Sequence, residues 1–306
     1  MKKYLGSSFI FFSAVFWGSS GIFVNTLKEF GISGIGIVFG RAVFTVLILG
    51  LGLLIFDRKA FIIKRRDLWI CAVIGIASIV FFNYCYYKTM GYTGLSVAAV
   101  LMYTAPVFVM IISVLFLGER LSLIKVLSCL VAIVGCAFVT GLIGTGASLN
   151  APGLIFGICT AFGYSLYGIF SSILVKKGYK TTTITFYSFV FAVLGSAVVV
   201  GRELPGVCQT FFSGTVPFVT IVLMSLINTI IPYILYSSGL KTVRPSTAII
   251  IATVEPIVAT IFDITVYKKF PSVFAYFGMV LILSAVLVLN LFGNGENERN
   301  ETARKR

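Results

Sequence analysis

Ten apolar runs, each long enough to cross a membrane, follow one another along this chain with only short polar connections between them. A helix needs roughly 20 predominantly apolar residues to span about 30 Å of hydrocarbon. The chain is therefore expected to be an all-α membrane protein with ten transmembrane helices, over residues 5–26, 33–56, 68–90, 94–117, 122–142, 152–175, 182–201, 214–238, 243–266 and 272–292. Lys2 and Lys3 ahead of an apolar stretch resemble the start of a signal peptide. That stretch continues to Val24, however, so it is counted as the first span. Residues 293–306 form a polar tail.

The chain is also written twice. Tyr164-Ser165-Leu166 with Ile169-Phe170 repeats the pattern of Trp17-Gly18-Ser19 with Ile22-Phe23 at an offset of 147. Ser246 to Pro256 echoes Ser96 to Pro106 at an offset of 150, and Pro271-Ser272 echoes Leu121-Ser122. The first repeat takes residues 1–147 and the second 151–292, with five helices in each. An odd number of spans per repeat makes the second enter the membrane upside down relative to the first. Two inverted repeats that meet at a shared mid-membrane site are the architecture of an alternating-access transporter.

Charge sets the expected orientation, because cytoplasmic loops carry an excess of Lys and Arg. With the N-terminus inside, eighteen basic residues fall on the cytoplasmic side. Five fall on the other, namely Lys28, Lys88, Arg202, Lys268 and Lys269, and Arg41 is left inside a span. A nine- or eleven-span count would scramble this alternation, so both termini are expected to be cytoplasmic and the protein to sit in the cytoplasmic membrane. The net charge of +14 is spread over short loops and the tail, which gives no patch for nucleic acid. The chain has no His, which excludes a His proton relay and a His-ligated metal. Five of the six cysteines lie in apolar runs and none forms a C-x-x-C pair, so they read as packing residues and no cofactor is expected.

A charge inside the bilayer is costly enough to mark a functional candidate by default. Glu255 lies eleven residues beyond Arg244, about 16 Å deep at a rise of about 1.5 Å per residue. Its repeat mate is Ala105, so the carboxylate breaks the symmetry between the halves. It reads either as a ligand for a substrate amine or a protonatable coupling group, or as a structural partner for carbonyls freed by Pro256. Asp263 is expected nearer the outer interface, as a vestibule or structural residue. Arg41, two turns into the second span, is expected to form a structural ion pair or to snorkel toward lipid rather than bind an anion. Pro106 and Pro256 occupy matched positions and should kink their helices by clashing with the carbonyls of Met102 and Ala252. Those kinks serve either as gates or as static bends that shape a cavity.

Helical spacing gathers the remaining candidates. They are Trp17 with Ser20, Asn83 with Tyr87, Tyr103, Tyr164 with Tyr167 and Ser171, and Asn228 with Pro232 and Tyr236. Together with Glu255 they would wall a cavity for a small organic solute that has an apolar body and a few polar groups. For the Tyr and Trp residues the alternative is an interfacial aromatic belt.

Several of these residues resemble a known family. Trp17-Gly18-Ser19-Ser20, Arg41, Ala105-Pro106 and Leu117-Gly118-Glu119-Arg120-Leu121 are similar to the repeat of EamA-type drug/metabolite transporters, and Glu255-Pro256 is similar to its second copy. The likeness runs from about residue 8 to 292, with one departure: Lys268-Lys269 stands where the first copy has Gly118-Glu119. The acidic end residue is thus missing from the second copy. The resemblance implies a secondary transporter that exports or exchanges small metabolites, amino acids among them. Its partners would be a small-molecule solute, the lipid bilayer, and a proton or counter-solute for coupling. A drug/cation or nucleotide-type exchanger of the same fold is the nearest alternative.

Other classes are less favoured by the residues. No Walker A sequence is present to suggest direct ATP drive, and without H-E-x-x-H or G-x-S-x-G an intramembrane enzyme is not expected. A sensor or assembly factor that transports nothing is a further class. It predicts that Glu255→Gln leaves function intact while deletion of the tail abolishes it.

Overall fold

The computed structural model describes residues 2–119, 121–142, 150–268 and 270–292, and nearly all of them are helical. Arg120, Lys269 and the tail 293–306 lie outside the described residues. Ten apolar helices are present among those described: α1 (Tyr4–Glu29), α2 (Gly34–Phe56), α3 (Arg65–Thr93), α4 (Leu95–Leu117), α5 (Leu123–Val139), α6 (Ala151–Lys176), α7 (Thr181–Phe211), α8 (Thr215–Gly239), α9 (Pro245–Tyr267) and α10 (Val273–Phe292). Nine are long and apolar enough to cross a membrane, and α5 is the shorter tenth. Apolar side chains such as Leu47, Leu51 and Leu54 on α2 and Leu283, Leu287 and Leu291 on α10 are exposed. Apolar outward faces suit helices whose solvent is lipid.

The helix ends match the sequence expectation to within a few residues, with one exception. Residues 202–213 were expected to form a loop, but α7 is prolonged by a further helical segment, Leu204–Phe211. Pro205 suits the first turn of that segment, where its missing N–H has no intrahelical role. Val207 and Phe211, four residues apart, then face the same way and bury themselves beside Gly36 and Gly40 of α2, in one cluster with Ile37 and Phe39.

The helices pack in a pattern that is nearly preserved when each is exchanged for its counterpart five places on. α1 packs on α8 as α6 packs on α3, and α1 packs on α9 as α6 packs on α4. α2 meets its own counterpart α7, and α5 meets α10. Gly135 and Gly278 let α5 and α10 approach so closely that a Cβ on Gly278 would stand 2.5 Å from the Gly135 carbonyl oxygen. α1 and α9 run parallel and in register. Gly6 abuts Val243, two residues ahead of α9, and twelve residues further along both stretches Gly18 abuts Glu255. α4 and α6 also run parallel, with Leu101 beside Gly157 and Phe108 beside Phe162.

Three helices break near mid-span: α1 at Ser19, α4 at Tyr103–Thr104 and α9 at Thr253–Val254. The sequence suggested an unbroken α1 and kinks in α4 and α9. Full breaks arise because Pro106 and Pro256 are the second residues of new segments, Ala105–Leu117 and Glu255–Tyr267. Met102 and Ala252, whose carbonyls the proline rings would strike, are the last residues of the preceding segments. The backbone crosses both breaks in the same way. The N–H of Thr104 bonds the Leu101 carbonyl, and that of Val254 bonds the Ile251 carbonyl. In α1, both the N–H and the hydroxyl of Ser19 donate to the Phe16 carbonyl, at 3.2 and 2.7 Å.

α3 and α8 depart from α-helical winding instead of breaking. Each contains a π-helical segment, Val73–Phe81 in α3 and Leu226–Ile230 in α8. These segments overlap when the repeats are superposed at the offset of 150. A π segment bonds i to i+5 and so rotates whatever follows it relative to an ideal α-helix.

Candidate functional site

The breaks and the π segments surround one cavity of about 470 Å³, within the range of about 300–1,000 Å³ usual for small-molecule sites. Its wall comes from one half of the bundle. It includes the end of α1, the start of α2, the latter half of α3, the start of α4, and the segment of α9 from Glu255 onward. Asn25, Lys28, Leu95, Ser96 and Tyr267 reach the helix ends on that side, so the cavity opens there.

Of the residues singled out from sequence, Trp17, Ser20, Asn83, Tyr87, Tyr103, Tyr164, Tyr167, Asn228, Glu255 and Pro256 all line this cavity. Pro106 is buried in α4 outside the lining, and Ser171 and Pro232 are likewise buried away from it. Tyr236 is also misplaced by the sequence reading. It packs behind the wall, with ring centroids 5.4 Å from Trp17 and 5.6 Å from Tyr167, and its hydroxyl faces Gly168. Tyr233 holds the lining position instead. The cause is the π segment that contains Asn228, which moves the shared face from the fourth residue to the fifth. Ser78 and Asn83 show the same spacing on α3, and both line the cavity.

Tyr233 and its neighbours form an aromatic floor. Its ring centroid lies 4.8 Å from that of Tyr167 and 5.5 Å from that of Trp17, both edge-on. The Tyr167 hydroxyl donates to the Tyr233 carbonyl at 3.2 Å and lies 2.8 Å from Ser237 Oγ, which fixes the ring. Asn228 ties α8 to the break in α1. Its amide nitrogen donates to the Phe16 carbonyl and to Ser19 Oγ (3.0 Å), while its Oδ1 has no partner.

Four charged side chains line the cavity among the described residues: Lys28, Arg41, Glu255 and Asp263. Glu255 begins the second segment of α9, where the helix dipole favours a carboxylate, and it accepts a long hydrogen bond (3.5 Å) from the Tyr164 hydroxyl. Lys28 sits near the mouth, 5.8 Å from the ring centroid of Tyr87. Asn25 donates to the Tyr267 hydroxyl at 3.3 Å, joining α1 to α9 beside it.

Arg41 corrects the sequence reading most. It was expected in an ion pair or at the lipid surface, yet it lines the cavity with a buried Nε that has no hydrogen-bond partner. Ile37, Val38 and Arg41 share the inward face of α2, whereas the outward face is carried by Leu47, Leu51 and Leu54. Arg41, Ser78, Tyr86 and Tyr233 are thus site residues that sequence spacing missed. For Arg41 the signal was present, since an intramembrane charge usually faces the bundle interior.

The opposite end of the bundle is closed. Glu119, 7% exposed, accepts a hydrogen bond from Ser246 Oγ and lies 3.5 Å from Lys125 Nζ. Lys125 is fully buried and donates to Ser246 Oγ at 3.1 Å. This cluster joins the end of α4 to the starts of α5 and α9. At the open end the repeat mates of Glu119, Lys125 and Ser246 are Lys269, Ala275 and Ser96. The backbone nonetheless keeps its symmetry there. Lys268 takes the left-handed conformation (φ 56°) that Gly118 takes in the first repeat (φ 64°), and it alone does so among the described non-glycine residues.

The chain resembles known proteins along nearly its whole length. An uncharacterized transporter of Clostridium kluyveri is 26% identical over 300 residues, covering 94% of this chain and 93% of that protein. An uncharacterized transporter of Bacillus subtilis is 24% identical over 279 residues, covering 90% of this chain and 86% of the relative. A crystal structure at 15% identity matches with a TM-score of 0.74, covering 94% of this chain and 96% of the other, which speaks to the fold alone. The family model described as the EamA-like transporter family matches twice, over residues 4–141 and 151–291. The chain belongs to the EamA-like transporter family.

Proposed function

We propose that this transporter exports amino acids or related compounds across the cytoplasmic membrane by alternating access between two inverted repeats. The charge balance of the cavity is the observation that carries the substrate class. Among the described residues Lys28 and Arg41 are matched by Glu255 and Asp263, so the described wall is neutral in sum but strongly polar at separate points. A site for an organic cation would favour a surplus of carboxylates, and one for a nucleotide a surplus of basic groups. A neutral wall with both signs suits a zwitterion, and the aromatic floor suits an apolar side chain.

Inversion is supported by the parallel pairs α1–α9 and α4–α6, as expected when the second repeat enters the membrane upside down. Alternating access is supported by the two unlike ends, one open and one held shut by Glu119, Lys125 and Ser246. The breaks at Pro106 and Pro256 are the hinges in this reading, because the segments on either side share no continuous hydrogen-bond ladder. Glu255 is the natural group to couple a proton, or to be released by a counter-solute.

The test is a transport assay with the purified protein in liposomes. Labelled amino acids, tetraethylammonium and uridine monophosphate are offered in parallel. Amino acids are expected to move and the other two to stay at the level of empty liposomes. Preferential movement of the cation or the nucleotide overturns the reading.

A further inference from the structure

Arg41 and Glu255 are opposite charges in one cavity that do not neutralise each other. Among the described residues neither has an ion-pair partner, and the only bond to Glu255 is the long one from Tyr164. Arg41 keeps a buried, unpartnered Nε. A buried donor without a partner is costly, and a half-buried guanidinium that lines a cavity leaves its remaining N–H groups to meet a ligand there.

Their placement fits one kind of ligand. Arg41 lies seven residues from the start of α2, and Glu255 lies twelve residues from the end of α9; both of those helix ends are on the open side. At a rise of about 1.5 Å per residue, Arg41 is about 10 Å and Glu255 about 18 Å below the opening, roughly 8 Å apart along the membrane normal. These are backbone levels, from which both side chains reach into the cavity. An α-amino acid, with about 3 Å between its charged groups and about 2.8 Å for each charge-assisted hydrogen bond, is short enough to be gripped between them. Arg41, Tyr233 and Glu255 all line the same cavity, which places the two charges around one space.

We propose that Arg41 and Glu255 form a two-point site for a zwitterion, the guanidinium taking the α-carboxylate and the Glu255 carboxylate taking the α-ammonium group. This rests on the reading of the protein as an amino-acid exporter and assigns to Arg41 a role in specificity. The planar fork of Arg suits a carboxylate held by two parallel N–H donors. Bound this way, the amino acid lies with its ammonium group deeper than its carboxylate, and its side chain is free to meet the aromatic floor. Arg41 has no charged mate in the second repeat, where the corresponding stretch reads Ser188-Phe189-Val190-Phe191. The site is therefore built once, across both repeats, and not twice.

The experiment is counterflow of labelled phenylalanine, leucine and threonine into proteoliposomes, each challenged with two analogues. The amide lacks the carboxylate, and the desamino acid lacks the ammonium group. For whichever amino acid moves, the unlabelled parent is expected to compete at least tenfold better than either analogue. Arg41→Gln should erase most of the preference over the amide while leaving the preference over the desamino acid. Glu255→Gln should do the reverse, and Arg41→Lys should keep part of the carboxylate preference. Each ratio is internal to one protein sample, so loss of folded protein does not alter it, and Arg41→Lys carries the test if Arg41→Gln does not fold. The proposal is overturned if the analogues compete as well as the parent, or if Arg41 variants leave both ratios unchanged. If no amino acid moves while another solute does, the export reading itself fails, and this assignment fails with it.

Discussion

Tyr233 stands five residues after Asn228 on α8, and both side chains line the cavity. Their mates at the offset of 150 are Ser78 and Asn83 on α3, which line it with the same spacing. Two π segments at equivalent depth thus turn equivalent faces inward. π segments of this kind are frequent at functional sites because they re-aim the side chains that follow.

The consequence is a contrast between two tyrosines three residues apart. Tyr233→Leu should raise the half-saturation concentration for transport several-fold with only a modest loss of stability. Tyr236, 2% exposed, sits among Trp17, Tyr167 and Gly168 without lining the cavity. Tyr236→Ala should cost about 3–5 kcal/mol of stability by leaving a void. Thermal unfolding in detergent and initial transport rates separate the two effects. Equal kinetic effects per folded molecule would remove the distinction between wall and backing.

Glu255→Gln keeps the shape of the side chain and an oxygen to accept from Tyr164, but it removes the titratable group. Among the described residues the other charges at the cavity are Arg41, Lys28 and Asp263, and of these Asp263 is the other carboxylate. If Glu255 exchanges the coupling proton, wild-type flux varies with pH and the variant is flat. The reading is checked with amino-acid flux into liposomes at a series of pH values. A variant with wild-type flux at every pH takes Glu255 out of the mechanism.

Much of this architecture was legible in the sequence because length and periodicity are local properties. Ten apolar runs gave ten helices, and the two prolines marked Met102 and Ala252, which are the last residues before the breaks, although kinks and not breaks were expected there. Residues on regular helical stretches, such as Asn83 with Tyr87 and Tyr164 with Tyr167, were gathered correctly. The errors arose where the winding or the facing depended on neighbours. The face of Tyr236 was extrapolated through a stretch assumed to be α-helical that winds as a π-helix. Arg41 was assigned to a structural ion pair or the lipid interface because sequence does not say which face of α2 meets α3 and α8. The segment Leu204–Phe211 was read as a loop because its two anchors, Val207 and Phe211, find their partners on a distant helix.

The closed end gives a thermodynamic prediction. Glu119 and Lys125 have side chains 5% and 0% exposed, so removing one partner strands a buried charge. Glu119→Gln or Lys125→Met alone should cost about 3–5 kcal/mol, and the double variant should recover most of that loss. The same single variants should favour opening of this end. Cys129, fully buried one turn beyond Lys125, reports it. In protein retaining only that cysteine, its labelling by a water-soluble maleimide should accelerate in the single variants. Unchanged labelling would mean that the cluster holds the fold but not the gate.

The contact between α1 and α9 gives a second contrast, between glycines three residues apart. A Cβ on Gly18 would stand 2.7 Å from Val258 Cβ and 2.8 Å from the carbonyl oxygen of Glu255. Backbone cannot move aside cheaply there, so Gly18→Ala must push α1 away at the level of the carboxylate. Overpacking of this kind typically costs about 1–3 kcal/mol. It should also displace Glu255 relative to Tyr164 and Arg41, lowering transport at least tenfold per folded molecule. Gly21, on the same helix beyond the break, has nothing within 4 Å of a built Cβ. Gly21 also lines the cavity, so its Cβ would enter open space. Gly21→Ala should leave the seat of α1 against α9 intact, lower transport far less than Gly18→Ala, and raise stability by up to about 1 kcal/mol through helix propensity. Melting temperatures and amino-acid flux for the two variants decide the matter. Wild-type flux in Gly18→Ala would show that Glu255 acts without the close seat of α1 against α9.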